Sequence, residues 1–141
     1  MVTGLKDELL KKAMSFYPNH PDLMKHLKVG SIWEYRVFSP TLDGEEILVF
    51  HLMKMGNSEL ALKEGGAPEK PDLILYFTVK AMLQLIENSK NAHEYYREYR
   101  RILEEPSREV ELDYKINKNR LKLWRAGYRE WANEFGFTKY M

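Results

Sequence analysis

The chain contains no cysteine. Disulfides, thiol nucleophiles and thiolate metal sites are therefore excluded. It also lacks an uninterrupted apolar run of transmembrane length, so no segment reads as a membrane-spanning helix. The opening stretch carries Lys6, Asp7 and Glu8 where a signal peptide would need an apolar core, and a cytoplasmic location is expected. Neither sign of charge is in excess: 22 Lys and Arg face 21 Asp and Glu. No overall field draws the chain toward nucleic acid or an anionic membrane. A Gly-rich phosphate loop is missing, because Gly65-Gly66 is not followed by Lys-Ser/Thr. Glutamine occurs once, at Gln84, among abundant Lys and Glu, a composition that leans toward a thermophilic source.

What is present is enough for one domain with a substantial core: 141 residues, of which 44% are hydrophobic. Thr3 is placed to cap a helix over about Gly4 to Phe16, with Leu5, Leu9, Ala13 and Phe16 on one face, before Pro18 and Pro21 break it. A short turn over Asp22 to Leu27 follows. From Ser31 the period becomes 2: Trp33, Tyr35 and Val37 alternate with Glu34 and Arg36. Asp43-Gly44 marks a hairpin return into Ile47 to Met53, apolar on both faces except at His51 and so expected to lie centrally. Leu60 and Leu62 alternate with charge in a third strand, and Lys63 to Pro71 is a Gly- and Pro-bearing loop. Leu73, Leu75 and Phe77 form a fourth strand, which Thr78 caps into a helix carrying Met82, Leu83, Leu85 and Ile86. A further helix runs from Ala92 to Glu105 and ends at Pro106.

The segment from Ser107 to Phe137 is the most strongly patterned. Val110, Leu112, Tyr114 and Ile116 alternate with Glu109, Glu111, Asp113 and Lys115, a one-sided strand. Leu121, Trp124, Tyr128, Trp131 and Phe135 then recur at helical spacing up to Gly136. The early strands are joined by loops too short for helical crossovers, so the expected fold is α+β, with a mostly antiparallel five-stranded sheet. Its open face should carry Glu34, Arg36, Glu59, Lys63, Glu109, Glu111 and Asp113. The aromatic stripe either fills a core or walls a cavity. The hydroxyls of Tyr35, Tyr114 and Tyr128, all on inward positions, favour a cavity, because ligand sites are mostly apolar with a few placed polar groups.

Nothing assembles a catalytic set, and no enzyme activity, cofactor or metal is expected. His20 and His26 are six apart rather than at the four-residue spacing of a helical metal pair. His51 reads as a satisfied interior histidine, and His93 as a solvated one. Tyr95 to Arg101 mixes aromatic and basic side chains, but Glu94, Glu98, Glu104 and Glu105 interleave with the arginines as on a solvated helix, so no nucleic-acid partner is expected. Lys118, Arg120, Lys122, Arg125 and Arg129 are either a solvent face or a contact for an anionic surface or ligand head group.

The run Pro71-Asp72-Leu73-Ile74-Leu75-Tyr76-Phe77-Thr78, leading into Val79-Lys80-Ala81-Met82-Leu83-Gln84-Leu85-Ile86, resembles the signature of the sterol carrier protein 2 family. That signature is an aspartate-led apolar strand, a small hydroxyl cap and a leucine-rich helix. The order of elements is similar along most of the chain. Where the family has a short glycine-bearing link before its late strand, this chain has the long helix between Asn91 and Arg108. The resemblance implies a five-stranded sheet covered on one face by helices, an apolar tunnel between them, lipid or other apolar ligand binding, and no catalysis. The expected wall residues are Trp33, Tyr35, Phe50, Leu52, Leu75, Phe77, Leu83, Trp124, Tyr128 and Trp131. The alternative is an interaction or homodimerisation module with a filled core.

Overall fold

The computed structural model describes residues 2–141, with the side chains of 4–141. Helix α1 (Val2–Phe16) starts ahead of Thr3, whose side chain lies outside the described residues. Leu9, Ala13 and Phe16 are buried, as the apolar spacing requires. Two short 3-10 turns, Tyr17–Asn19 and Pro21–Met24, lead to the sheet. Strands β1 (Ile32–Ser39), β2 (Glu45–Gly56) and β3 (Glu59–Glu64) form an antiparallel meander, and β4 (Leu73–Thr78) runs directly into α2 (Val79–Asn88). Helix α3 (Ala92–Glu104), strand β5 (Leu112–Ile116) and helices α4 (Arg120–Arg125) and α5 (Tyr128–Phe135) follow, and a 3-10 turn at Thr138–Tyr140 closes the chain. The sheet order is β3-β2-β1-β4-β5.

The fold is α+β, with a five-stranded, mostly antiparallel sheet whose core face is covered by helices. Its one parallel pair, β1 with β4, departs from the antiparallel reading of the first four strands. Register explains how a short loop suffices. Strand β3 ends level with Tyr35, through Phe50, and β4 begins level with Trp33. The chain therefore steps back by two residues, about 7 Å, and sideways by three strand spacings, about 14 Å. An extended segment covers that distance without a helix.

This crossing lies on the face away from the helices. Gly65 N donates to Val49 O at 2.8 Å, Ala67 N to a Glu34 carboxylate oxygen at 2.9 Å, and His51 Nδ1 lies 3.1 Å from Gly65 O. Glu34 is consequently buried, against the expectation that it sits on an open charged face. Arg36 joins it there, Nε to Oε2 at 2.9 Å, and also binds Glu46. Glu109 leaves the sheet altogether: β5 begins at Leu112, and Glu109 sits in a turn with φ 64°. The middle of the outer face is otherwise half-buried and apolar, at Phe38, Val49, Met53, Ile74 and Tyr76, while its edges carry Glu59, Lys63 and Asp113 exposed, as expected. Strand β2 is interior, but the middle of the sheet belongs to β1.

On the core face Tyr35 stacks on Phe50 (4.6 Å, 12°) and Phe77 (5.7 Å, 10°), one ring from each of three adjacent strands. Thr78 caps α2 as expected: its Oγ1 accepts from Ala81 N at 3.3 Å and donates to Glu109 O at 2.7 Å.

Candidate functional site

The expected continuous closing helix is broken in two by Gly127, at φ 98°. A Cβ at this position would fall 1.9 Å from His26 O, so the chain turns here against the backbone of the Leu27 region. Lys28 N donates to Ala126 O at 2.9 Å across the same contact. The break shifts the phase of the stripe. Tyr128, Trp131 and Phe135 on α5 are buried, whereas Leu121 and Trp124 on α4 are 58% and 42% exposed and Leu123 turns inward instead. Trp124 therefore does not wall a cavity with Tyr128 and Trp131, contrary to expectation.

An apolar cavity of about 40 Å³ lies between the β1-β4-β5 half of the sheet and α3, α5 and the closing turn. Trp33, Tyr35, Leu73, Leu75, Tyr114 and Ile116 form its floor. Tyr95, Tyr96 and Tyr99 of α3, Trp131 of α5, and Phe137, Tyr140 and Met141 form its roof. Four expected wall residues, Trp33, Tyr35, Leu75 and Trp131, meet at this void. Phe50, Leu52, Phe77 and Tyr128 are fully buried but do not line it, and Leu83 is half-buried on α2. A volume of 40 Å³ accommodates about three waters.

The roof is held by aromatic packing and by hydroxyls. Trp131 stacks on Phe137 at 5.0 Å and 11°, and meets Tyr96 edge-on at 5.2 Å. Trp131 Nε1 (3.0 Å) and Tyr96 OH (2.6 Å) both donate to Leu23 O. Tyr17 and Tyr95 share a hydrogen bond of 2.7 Å. Trp33 Nε1 donates to Tyr128 OH at 2.8 Å, and that hydroxyl donates to Asp72 Oδ2 at 2.7 Å, all three residues being buried. Lys118 completes the chain at 2.7 Å from Asp72 Oδ1. Burial raises the ionisation of Tyr35, Tyr95, Tyr96, Tyr99 and Tyr128 well above the ordinary phenol, so these hydroxyls remain neutral donors. Tyr99 OH stands apart. It is buried and has no hydrogen-bond partner among the described residues.

The rim is the edge strand β5 and the closing turn. Tyr114 OH donates to Tyr140 O at 3.2 Å, Lys139 Nζ pairs with Glu104 Oε2 at 2.6 Å, and Tyr140 OH donates to the same carboxylate. These contacts fasten the turn over the void from both sides. The α3 tyrosines were missed as wall residues because the arginines and glutamates between them mark a solvated helix. The spacing of Tyr95, Tyr96, Tyr99 and Ile102 is the signal for the buried face.

Of the histidines, His51 is buried on the outer sheet face rather than toward the cavity. His26 Nε2 and His93 Nε2 lie 2.7 and 3.0 Å from Glu134, which also pairs with Lys25 at 3.1 Å. Hydrogen bonds from His26 and Lys25 hold the Glu134 carboxyl at a pKa of about 2. The cluster joins the region before β1 to α3 and α5. Among the described residues no group of three His, Cys, Asp or Glu side chains is arranged to hold a metal ion. None of the described helices is long and apolar enough to cross a membrane. No protein-family model and no curated protein matches the chain.

Proposed function

We propose that the protein binds, without catalysis, the apolar part of a small amphipathic molecule in the aromatic cavity between β1-β4-β5 and α3-α5. The observation that carries this reading is the unpartnered Tyr99 hydroxyl in the roof of an apolar void. Buried polar groups are normally paired, and one left without a partner beside a cavity suits a ligand that supplies it. As it stands the void of about 40 Å³ is far smaller than a drug-sized ligand needs. Binding therefore requires the Thr138–Tyr140 turn to move off the rim, where half-exposed contacts to Glu104 and Tyr114 hold it. The resemblance to sterol carrier protein 2 is supported by the strand β4 running straight into α2 and by the late strand and closing helices. On that reading the ligand is of lipid, sterol or fatty-acyl type.

Isothermal titration with acyl chains of increasing length tests this. Affinity should rise about fourfold per methylene, the equivalent of about 0.8 kcal/mol, until the cavity is full. Glu104→Ala, which frees the turn, should speed association. Absence of binding at every length would overturn the proposal.

The small void itself favours a second reading, a filled core in a self-associating module. The half-buried apolar outer face at Phe38, Val49, Ile74 and Tyr76 would then be the contact. Sedimentation equilibrium distinguishes the two: a dimer dispersed by Tyr76→Lys, together with no acyl binding, supports the module.

A further inference from the structure

The break at Gly127 leaves α4 with a surface that the core does not use. Leu121 and Trp124 project outward at 58% and 42% exposure, the former among the most exposed large apolar residues of the chain. Around them stand Arg120, Lys122, Arg125 and Arg129, all exposed. Among the described residues none of these four cations lies within ion-pair distance of a side-chain carboxylate, and Arg120 Nη2 donates to Met141 O at 3.0 Å. The Arg120 and Arg129 guanidiniums sit 5.6 and 5.3 Å from the centre of the Trp124 ring. Lys6, Lys12, Lys25, Arg36, Lys80, Arg101 and Lys139 each have an acid, whereas other exposed cations among the described residues, such as Lys11, Lys63 and Arg97, do not; what marks α4 is that its exposed cations surround an exposed tryptophan. With a net charge of only +1, this is a local concentration of positive charge and not a property of the whole chain.

We infer that the α4 surface docks the protein on an anionic lipid bilayer, with Trp124 and Leu121 at the headgroup level and the arginines on lipid phosphates. Three features select a bilayer over another polyanion. Trp is the side chain that settles at a membrane–water interface, one end apolar and one polar. Leu121 offers nothing to a nucleic acid but gains from entering the acyl boundary. The two guanidiniums lie over the Trp124 ring, where they compete with a base for stacking. The cations match anionic lipid in sign, and clustered Lys and Arg bind such surfaces at about fivefold in affinity per residue. A groove of about 360 Å³ between Arg120, Trp124 and Arg129 ends at Met141, which also lines the aromatic cavity. The docking surface and the cavity rim are thus contiguous, though docking does not depend on the cavity holding a ligand.

Vesicle co-sedimentation, with Trp emission read in parallel, tests the proposal without any ligand for the cavity. The full chain should bind phosphatidylserine-containing vesicles and leave pure phosphatidylcholine vesicles in solution, and added salt should release it. Brominated acyl chains should quench emission, and Trp124→Phe should remove that quenching. Arg125→Glu with Arg129→Glu should weaken binding more than tenfold. Lys11→Glu, a charge reversal on the exposed face of α1, should weaken it little. All these positions are exposed, and thermal melts of the variants should coincide with that of the parent. Equal partition onto both vesicle types, wild-type binding by the double variant, or binding of a single-stranded oligonucleotide in place of vesicles would each overturn the assignment.

Discussion

Tyr128→Phe removes a single oxygen, and its effect is calculable from the structure. That oxygen accepts from Trp33 Nε1 at 2.8 Å and donates to Asp72 Oδ2 at 2.7 Å, tying α5 to β1 and to the residue preceding β4. All three residues are buried, Tyr128 completely. Phenylalanine fills the same ring volume, so no large cavity opens and the loss is polar. One indole donor and one carboxylate oxygen are left unpaired in the interior, at about 1–3 kcal/mol each. Allowing for the desolvation of the hydroxyl itself, the expected cost is about 2–4 kcal/mol, a large share of the 5–15 kcal/mol typical of a domain. Urea denaturation followed by far-ultraviolet circular dichroism should show a midpoint lowered by about 1–2 M with the slope unchanged. Combining the change with Trp33→Phe should cost less than the sum, by about 0.5 kcal/mol or more, because the two share one hydrogen bond. Burial, and then the neighbouring Asp72, push the ionisation of Tyr128 upward, so the difference should persist unaltered through neutral and mildly alkaline pH. An undiminished midpoint in Tyr128→Phe would refute the idea that this bridge helps to hold the helix layer on the sheet.

Legibility in the sequence followed the range of the interaction. Strands β1 and β4, the Thr78 cap and the burial of Trp131 are set by residues a few positions apart, and alternation or helical spacing reveals them. Alternation assigns Glu34 to the face opposite Trp33, correctly, but says nothing of what crosses that face. The Gly65–Ala67 crossing that buries Glu34 comes from a remote part of the chain. The stripe from Leu121 to Phe135 keeps helical spacing straight through Gly127, so periodicity alone predicts one helix. The glycine itself is the visible warning, but its reason, the His26 carbonyl packed against its Cα, is tertiary. The same break separates Trp124 from the cavity residues. In α3 the charged residues masked a buried tyrosine face that the spacing of Tyr95, Tyr96 and Tyr99 already outlines. The convergence of Lys25, His26 and His93 on Glu134 had no local sign, since its partners come from two remote segments, Lys25-His26 and the start of α3.

Four further measurements probe these points. Gly127→Ala should destabilise by at least about 2 kcal/mol, since alanine resists a positive φ and its Cβ would strike His26 O; an unchanged melting temperature would count against the break. Trp131→Ala should cost about 3–5 kcal/mol, measured by chemical denaturation, because the indole is buried, stacked on Phe137 and bonded to Leu23 O. The Glu134 carboxyl titrates at about 2 in the fold against an ordinary 4.5, so its stabilisation is present above about pH 4.5 and is lost as pH falls toward 2. Glu134→Gln should therefore flatten the acid limb of stability between those values, and parallel acid limbs would exclude the cluster as its source. Tyr99→Phe separates the cavity readings. The Tyr99 hydroxyl has no partner among the described residues, so deleting it should leave stability unchanged or raise it by up to about 1 kcal/mol. If that hydroxyl meets the polar end of an acyl ligand, the same change should weaken acyl binding by about 0.5–1.5 kcal/mol, a few-fold to about tenfold. A loss of more than about 1 kcal/mol in stability, with binding untouched, would mean that the hydroxyl is already satisfied by an ordered water and is part of a closed core.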